Sequence, residues 1–377
     1  MKRILVIVSF SLLLLAYRAS AVSATGCTIT FSGYTKSETL TNFPALVRLT
    51  NSISGFAYSQ FASTNGWDLR FKDATQSTNL NYEIESWNTG GLSYVWVQIP
   101  ALTNNTTIWA YWGDTNLAAA APAFATNGAA WSQNYRSVWH LKESGLNYAD
   151  SSSNKLAIAS GTAPVASTGF IGGGQTFNGS NTGLNGGTAG AFALTSAFTM
   201  ESWFRTGTAA NMELLQRRDP ASASWMYSNY GLEFDGNAHV FAWFVNTSGN
   251  TFVQALSPST YNDSRWHHVA GVYNGSSLVT YVDGVSVATA NSAGTPQVDA
   301  ACQVNIGWEY YGGPGGKYFN GAMDEVRISS VGRSSNWIWA CYQNMATNTV
   351  FQTYGAATSS TTGNPAGAAA IIQALLE

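Results

Sequence analysis

One stretch of the sequence decides the fold: RWHHVAGVYNGSSLVTYVDGVSVA, residues 265–288. Two apolar runs within it, 266–273 and 278–282, are rich in β-branched and aromatic residues, and the Asn274-Gly275 pair between them favours a turn. Asp283-Gly284 follows the second run, and a dipeptide of this type between apolar positions is the strongest short-range signal for a β-hairpin. The stretch therefore predicts a three-stranded antiparallel meander.

The meander contains two adjacent histidines, His267 and His268, which raise the question of a metal site or an acid/base pair. Neighbouring residues of a strand point to opposite faces of the sheet, so the two rings do not bind one ion together. We therefore expect one ring to pack inside the protein and the other to lie at its surface.

Working outward, four motifs in order resemble the LamG-like, concanavalin A-like jelly-roll family. The resemblance covers roughly residues 138–351, and it implies an all-β fold with a jelly roll as its main domain. Folds of this kind carry lectins, adhesive modules and enzyme appendages alike, so the resemblance alone implies no single activity. The motifs are FTMESW at 198–203, WHHVA at 266–270, YVDG at 281–284 and GAMDEVRI at 321–328, with Trp337-Ile338 matching the closing segment.

The first residues have the pattern of an export signal. Lys2-Arg3 precede the mostly apolar run 4–16, and small residues at 19–24 offer a cleavage site. Removal of this leader leaves 14 basic and 20 acidic residues, and this excess of acid disfavours a nucleic-acid partner. Only 10% of the residues are charged, so we expect a secreted or cell-surface protein with no membrane span in the mature chain.

The mature length is too great for one ordinary core and predicts two β-sandwich domains. Short strand-like runs separated by turn residues fill the first part of the chain. This part resembles a bacterial domain of unknown function of the 2341 type, through FPALV at 43–47, DLRF at 68–71, YEIESW at 82–87, VWV at 95–97 and WAYWG at 109–113. The predicted organisation is a signal peptide at 1–24, a first β-sandwich at 25–117, a linker at 118–130, a LamG-like jelly roll at 131–355 and a flexible tail at 356–377.

The acidic residues do not complete a catalytic pattern. Glu83 and Glu85 are two apart on one strand and share a face, which with Asp68 keeps open a carboxylate pair for glycoside hydrolysis. The alternative is that all three are ordinary polar strand residues. In Met323-Asp324-Glu325-Val326 the regular alternation of a strand puts the two adjacent acids on opposite faces. We therefore predict a module without catalytic residues that binds or adheres, with carbohydrate (a polysaccharide or glycoconjugate) as the expected partner. The alternatives are a structural spacer of a larger surface or envelope protein and a polysaccharide-active enzyme.

The three cysteines allow one disulfide. An exported protein meets an oxidising environment, and a bridge between Cys302 and Cys341 closes a loop of about 40 residues, which stabilises by roughly 4 kcal/mol on the chain-entropy model. Cys27 is then the unpaired thiol. The alternative is that Cys302 and Cys341 are small buried apolar residues.

Oxygen donors predict a structural calcium ion, which members of the resembled fold often carry at the rim. The first and last strands of a jelly roll are commonly neighbours, so Asp150 is expected near Asp324, with Asn154, Ser152 or backbone carbonyls completing the shell. The alternative is that Asp150 only organises its own turn.

Two aromatic segments predict the ligand site, because sugars are bound by aromatic faces beside polar groups and aromatics are efficient anchors. Tyr310 and Tyr311 are the first choice, since they lie in a glycine-rich loop after Trp308 and Glu309. The second segment offers Trp225 and Tyr227. With 14 tryptophans in the chain, most must fill the cores, and Trp308 continues an apolar strand.

Overall fold

The structure is a computed structural model that describes residues 24–132, 134–222, 224–309 and 316–359. The predicted signal peptide and the ligand candidates Tyr310 and Tyr311 lie outside the described residues. The first strands are β1 (Thr25–Thr30), β2 (Leu40–Leu49), β3 (Arg70–Lys72), β4 (Asn79–Leu80), β5 (Tyr82–Ser86), β6 (Ser93–Leu102) and β7 (Thr107–Trp112).

The next segment forms the jelly roll. Its strands are β8 (Tyr135–Trp139), β9 (Ser160–Thr162), β10 (Val165–Thr168), β11 (Gly173–Asn178), β12 (Gly183–Gly187), β13 (Phe198–Arg205), β14 (Met212–Arg218), β15 (Ser228–Phe234), β16 (His239–Asn246), β17 (Thr251–Thr260), β18 (Trp266–Tyr273), β19 (Ser277–Val282), β20 (Val285–Asn291), β21 (Gln303–Ile306), β22 (Trp308–Glu309), β23 (Lys317–Tyr318) and β24 (Asn320–Ser329). The described chain ends with helices α1 (Ser335–Ala346) and α2 (Asn348–Phe351) and strands β25 (Thr353–Tyr354) and β26 (Thr358–Ser359).

The predicted meander is confirmed as β18, β19 and β20, paired antiparallel. Val282 pairs with Val285, and both residues between them have left-handed backbone angles, with φ of 50° at Asp283 and 77° at Gly284. Two consecutive positive φ angles are what a two-residue hairpin turn of the mirrored type requires. His268 is buried, whereas His267 is half-buried and lies between Asp263 and Asp283, so the two rings occupy opposite faces as predicted.

The meander belongs to one of the two sheets of the jelly roll. The eight-stranded sheet has the order β10-β11-β24-β13-β18-β19-β20 with β8 paired to β24, and the seven-stranded sheet has the order β17-β16-β15-β14-β21-β12-β9. Their inner faces enclose a core of apolar side chains contributed by both sheets, such as Phe204, Phe244 and Ile306. The all-β jelly-roll prediction is thereby confirmed.

The N-terminal strands form two further sheets. One is β25-β1-β7-β3-β4 with β26 paired to β1, and the other is β2-β6-β5. Their core is continuous with α1 and with Trp203, Ala270 and Tyr281, which lie on the side of the eight-stranded sheet away from its own core. The N-terminal unit and α1 therefore cover the outer face of the eight-stranded sheet. Among the described residues, this shared core contains no residue of the seven-stranded sheet.

The connecting segments are packed against the domains. In the stretch predicted to be a linker, residues Ala123–Ala125 form a 3₁₀ turn, and the ring of Phe124 lies 5.3 Å from that of Tyr82. The region predicted as a flexible tail from 356 begins with β26, in which Thr358 pairs with Gly26. Strands β25 and β26 both pair with β1, so the end of the described chain belongs structurally to the N-terminal unit. Among the described residues, no helix has the length and apolar character needed to cross a membrane.

Candidate functional site

The outer face of the seven-stranded sheet carries a row of apolar residues that are themselves buried, at 0–6% exposure. Along β16, Val240, Ala242 and Phe244 point into the core, while the alternate residues form a small separate cluster on the other side: Phe241, Trp243 and Val245. A Cβ atom on Gly231 of the neighbouring strand would lie 2.5 Å from the indole of Trp243. Glycine at 231 therefore allows the indole to lie across β15.

A pocket of about 350 Å³ opens beside this row. Two of its aromatics are well exposed, Trp225 at 41% and Phe252 at 39%. The Phe252 ring stacks on Trp243 at 5.4 Å and meets Trp225 edge-on at 5.9 Å. The lining residues are Arg218, Trp225, Ser228, Glu233, Trp243, Phe252, Glu309 and Lys317. One wall is therefore aromatic and the other is charged.

The charged wall consists of linked ion pairs. The Arg218 guanidinium pairs with Glu309, and the Lys317 ammonium pairs with Glu233 and lies 3.2 Å from the second oxygen of Glu309. Behind them lies Glu213, whose position on β14 is directly opposite Glu233. One oxygen from each of Glu213, Glu233 and Glu309 lies within 4.8 Å of the others.

Burial and crowding change the proton affinity of this group. Burial raises the pKa of Glu213 well above its usual range, and the neighbouring carboxylates of Glu233 and Glu309 raise it further. Burial also raises the pKa of Glu233 to about 7, although Lys317 opposes the shift. For Lys317, burial lowers the pKa but the three carboxylates outweigh it, so the net shift is upward. Glu213 therefore keeps its proton to a higher pH than an exposed glutamate does, and Arg218 and Lys317 lie beside the carboxyl groups of Glu309 and Glu233.

Two buried polar atoms on the uncharged residues of the pocket find no hydrogen-bond partner among the described residues. They are the indole Nε1 of Trp243 and the hydroxyl of Ser228, and both residues are almost fully buried. A buried polar group without a partner costs free energy, so each gains if a ligand supplies the missing bond. The pocket therefore offers one unused donor and one unused hydroxyl beside its aromatic wall.

We predict that Glu213→Gln flattens the pH dependence of stability between pH 5 and pH 8. The native protein keeps the Glu213 proton above pH 4.5, where the unfolded chain has lost it, so wild-type stability falls as pH rises through this window. A glutamine does not titrate, and the expected difference in slope is about 1 kcal/mol per pH unit. Urea unfolding midpoints at four pH values measure it. Identical slopes for the two proteins would contradict the protonated state of Glu213.

The structure places some of the predicted ligand residues at the pocket and others away from it. Trp225 lines the pocket, and Tyr227 lies at the end of the same 3₁₀ turn with 45% of its surface exposed. Trp308 is half-buried, donates from Nε1 to the Leu184 carbonyl and stacks beside Tyr318 at 6.4 Å. The sequence reasoning missed Trp243, Phe252 and the charged wall. The available signal was the run VFAWFV at 240–245, because its core-facing positions and its outward-facing positions are both apolar.

The predicted calcium residues do not come together. Asp150 accepts hydrogen bonds from the backbone amides of Val138, Ser152 and Leu156, so its carboxylate organises the surrounding turn. The side-chain amide of Asn154 donates to the Tyr135 and Arg136 carbonyls. Asp324 instead accepts from the Ile171 amide and shares no partner with Asp150.

The predicted disulfide is not formed, because all three cysteines are free and buried. The Cys302 thiol, directly before β21 of the seven-stranded sheet, donates to the Tyr227 carbonyl. Cys341 lies on α1, in the core shared with the N-terminal unit. The two residues pack in different parts of the protein, so Cys302 and Cys341 act as small apolar residues.

Two family models match the chain. Residues 178–338 match the model described as the concanavalin A-like lectin/glucanases superfamily, and residues 65–134 match the model described as a domain of unknown function, DUF2341. Both agree with the resemblances read from the motifs. No curated protein matches the chain.

Solved structures are similar in fold at low identity. The binding domain of Paraclostridial Mosquitocidal Protein 1 is 11% identical, with a TM-score of 0.45 over 56% of this chain and 52% of that one. Domain 4 of AbnA, a GH43 extracellular arabinanase from Geobacillus stearothermophilus solved with arabinotriose, is 15% identical, with a TM-score of 0.43 over 56% of this chain and 98% of that domain. The binding domain of Botulinum Neurotoxin DC in complex with SialylT is 8% identical, with a TM-score of 0.43 over 56% and 52%. The chain thus spans about half the length of the two toxin domains, and the likeness concerns the fold alone.

Proposed function

We propose that this chain is an exported binding module that takes carbohydrate in the pocket on the outer face of the seven-stranded sheet. The observation that carries the proposal is the exposed aromatic wall formed by Trp225 and Phe252 next to polar groups with unused hydrogen-bonding capacity. Aromatic faces pack on the C–H surfaces of sugar rings, and a few placed polar groups then bind the hydroxyls. A purely structural spacer has no need of such a pocket.

The charged wall supports binding. Glu233 and Glu309, the carboxylates that line the pocket, are each held in an ion pair with Lys317 or Arg218. Ion-paired carboxylates of this kind serve well as fixed acceptors for hydroxyl groups.

A second pocket, of about 570 Å³, is larger but fits a sugar less well. Its described lining contains amides such as Asn42 and Gln98 and no charged residue. Its one aromatic, Trp131, is 2% exposed and offers no free ring face. The smaller pocket therefore remains the proposed site.

We expect the exported chain to bind a defined set of glycans on an array, and Trp225→Ala and Phe252→Ala each to weaken that binding at least about ten-fold, since exposed aromatic anchors carry much of the affinity at such sites. Trp109→Ala is the matched control: this half-buried tryptophan stacks on Tyr111 in the N-terminal unit, away from the pocket. Circular dichroism verifies that each variant is folded. An array without binding favours the spacer, and release of reducing sugar from a bound polysaccharide favours an enzyme.

A further inference from the structure

A second group of charged residues lies at the junction of the N-terminal unit and the jelly roll. We call it the seam cluster: Glu83 and Glu85 of β5, His140 directly after β8, and Asp324 and Glu325 of β24. One donor atom from each of Glu85, His140 and Glu325 lies within 4.8 Å of the others, and all three side chains are buried. The cluster is separate from the proposed sugar pocket.

His140 is oriented as a metal-binding histidine usually is. Its Nδ1 lies 2.6 Å from Glu325 Oε1 and 3.3 Å from Glu85 Oε2, while Nε2 faces Glu83 Oε1 at 3.7 Å on the other side of the ring. Trp96 stacks on the imidazole at a centroid distance of 6.2 Å. A histidine that binds a metal through one nitrogen commonly directs the other to a carboxylate, which holds the ring in place. The Glu83 carboxylate lies on that side of the ring, but at 3.7 Å it is beyond hydrogen-bond distance, so Nε2 has no hydrogen-bond partner among the described residues.

The charges of the buried group favour a divalent cation. Four carboxylates belong to the cluster, and the cationic side chains against it are Arg327, which donates to Glu325, and Lys142, which donates to the Glu85 carbonyl. A metal-binding imidazole is neutral, and with His140 in that form four carboxylates face two cations, which leaves two negative charges for a bound ion to balance. Two extra protons or one divalent ion remove that charge.

Two carboxylate oxygens of the seam cluster are available to bind such an ion. Glu85 Oε1 and Asp324 Oδ1 have no hydrogen-bond partner among the described residues, and both side chains are at least nine-tenths buried. The other oxygen of each carboxylate is already used, by the Trp96 indole for Glu85 and by the Ile171 amide for Asp324. A buried carboxylate oxygen without a donor is costly, and a bound cation supplies the missing interaction.

We propose that His140, Glu85 and Glu325 bind one zinc ion, with Asp324 as the fourth ligand, and that this ion joins the N-terminal unit to the jelly roll. An imidazole nitrogen with carboxylate oxygens suits zinc, whereas calcium and magnesium prefer oxygen ligands alone. Ligands around a tetrahedral zinc are separated by about 3.3 Å, given bonds of roughly 2.0–2.1 Å. The donor atoms of His140, Glu85 and Glu325 already lie within 4.8 Å of one another and must draw closer to reach that spacing, and Asp324 must then turn its unpartnered oxygen toward them.

The test uses the full exported chain, unfolded with a chelator, refolded, and dialysed against zinc, calcium or magnesium. We expect one zinc per chain by elemental mass spectrometry and a Tm several degrees higher than that of the metal-free protein. Cobalt in place of zinc is expected to give the visible absorption of a tetrahedral site. A refolded wild type with less than a tenth of a zinc per chain and an unchanged Tm would overturn the site and leave a protonated ion-pair network. An equal rise in Tm with calcium or magnesium would overturn the choice of metal.

Substitutions of the proposed ligands test where the ion binds. His140→Asn and Glu85→Gln are each expected to weaken zinc binding at least a hundred-fold. Glu213→Gln is the matched control, because Glu213 belongs to the other buried cluster of three glutamates and its loss should leave one zinc per chain. Zinc retained by a folded Glu85→Gln protein would show that the ion binds elsewhere. The wild-type measurements stand even where a variant fails to fold.

Discussion

Replacing Arg327 with methionine is expected to destabilise the protein by about 3–5 kcal/mol, the usual cost of removing one partner from a buried ion pair. The Arg327 guanidinium donates to Glu325 and lies over the rings of Trp96 and Trp131, at 4.5 and 4.9 Å from their centroids. Methionine fills much of the same volume but removes the guanidinium from the buried Glu325 carboxylate, which keeps only His140 beside it. The loss therefore comes from a buried charge without its guanidinium partner.

Urea unfolding at pH 7 measures this loss, and Arg265→Met is the control. The Arg265 side chain is 84% exposed and only loosely paired with Asp263 at 3.9 Å. An exposed pair of this kind contributes 0–1 kcal/mol, so the control should change stability little. Similar small losses for the two variants would mean that the seam relaxes or admits water around Glu325.

The second large effect is expected at the end of α2, where Phe351→Ala should cost about 3–5 kcal/mol through lost burial and a residual cavity. Phe351 is fully buried in the core of the N-terminal unit, and its ring lies 6.2 Å from Phe31 and 6.4 Å from both Tyr34 and Trp339. Residues from both ends of the described chain meet at this ring. Its removal should loosen the N-terminal unit first.

The neighbouring residue provides the control, since Val350 is 72% exposed and Val350→Ala should change stability by less than about 0.5 kcal/mol. Urea unfolding followed by far-ultraviolet circular dichroism measures both variants. A loss below 1 kcal/mol for Phe351→Ala would indicate that α2 and β25 contribute little to the N-terminal unit.

Candidate residues for the sugar pocket could be predicted only in part. Trp225 and Tyr227 stood out because they are aromatics in a segment with weak strand character, and both are exposed. Trp243 and Phe252 lie on strands, and the sequence pattern of a strand predicts that its aromatic residues pack in the core. Only the sheet order, which turns the alternate residues of β16 away from the jelly-roll core, places Trp243 in the wall of the pocket, where Phe252 stacks on it.

The local pattern by itself determined the meander at 265–288, because Asp283-Gly284 fixes the turn and the two-residue alternation fixes which side chains enter the core. Tertiary structure decided where the charges meet. Regular alternation would send Asp324 and Glu325 to opposite faces, but a β-bulge with φ of 53° at Glu325 interrupts it, and the two carboxylates interact within one buried cluster. Glu85 and His140 reach the same place from distant parts of the chain. Such a meeting depends on how two sheets pack, and no short-range pattern records that packing.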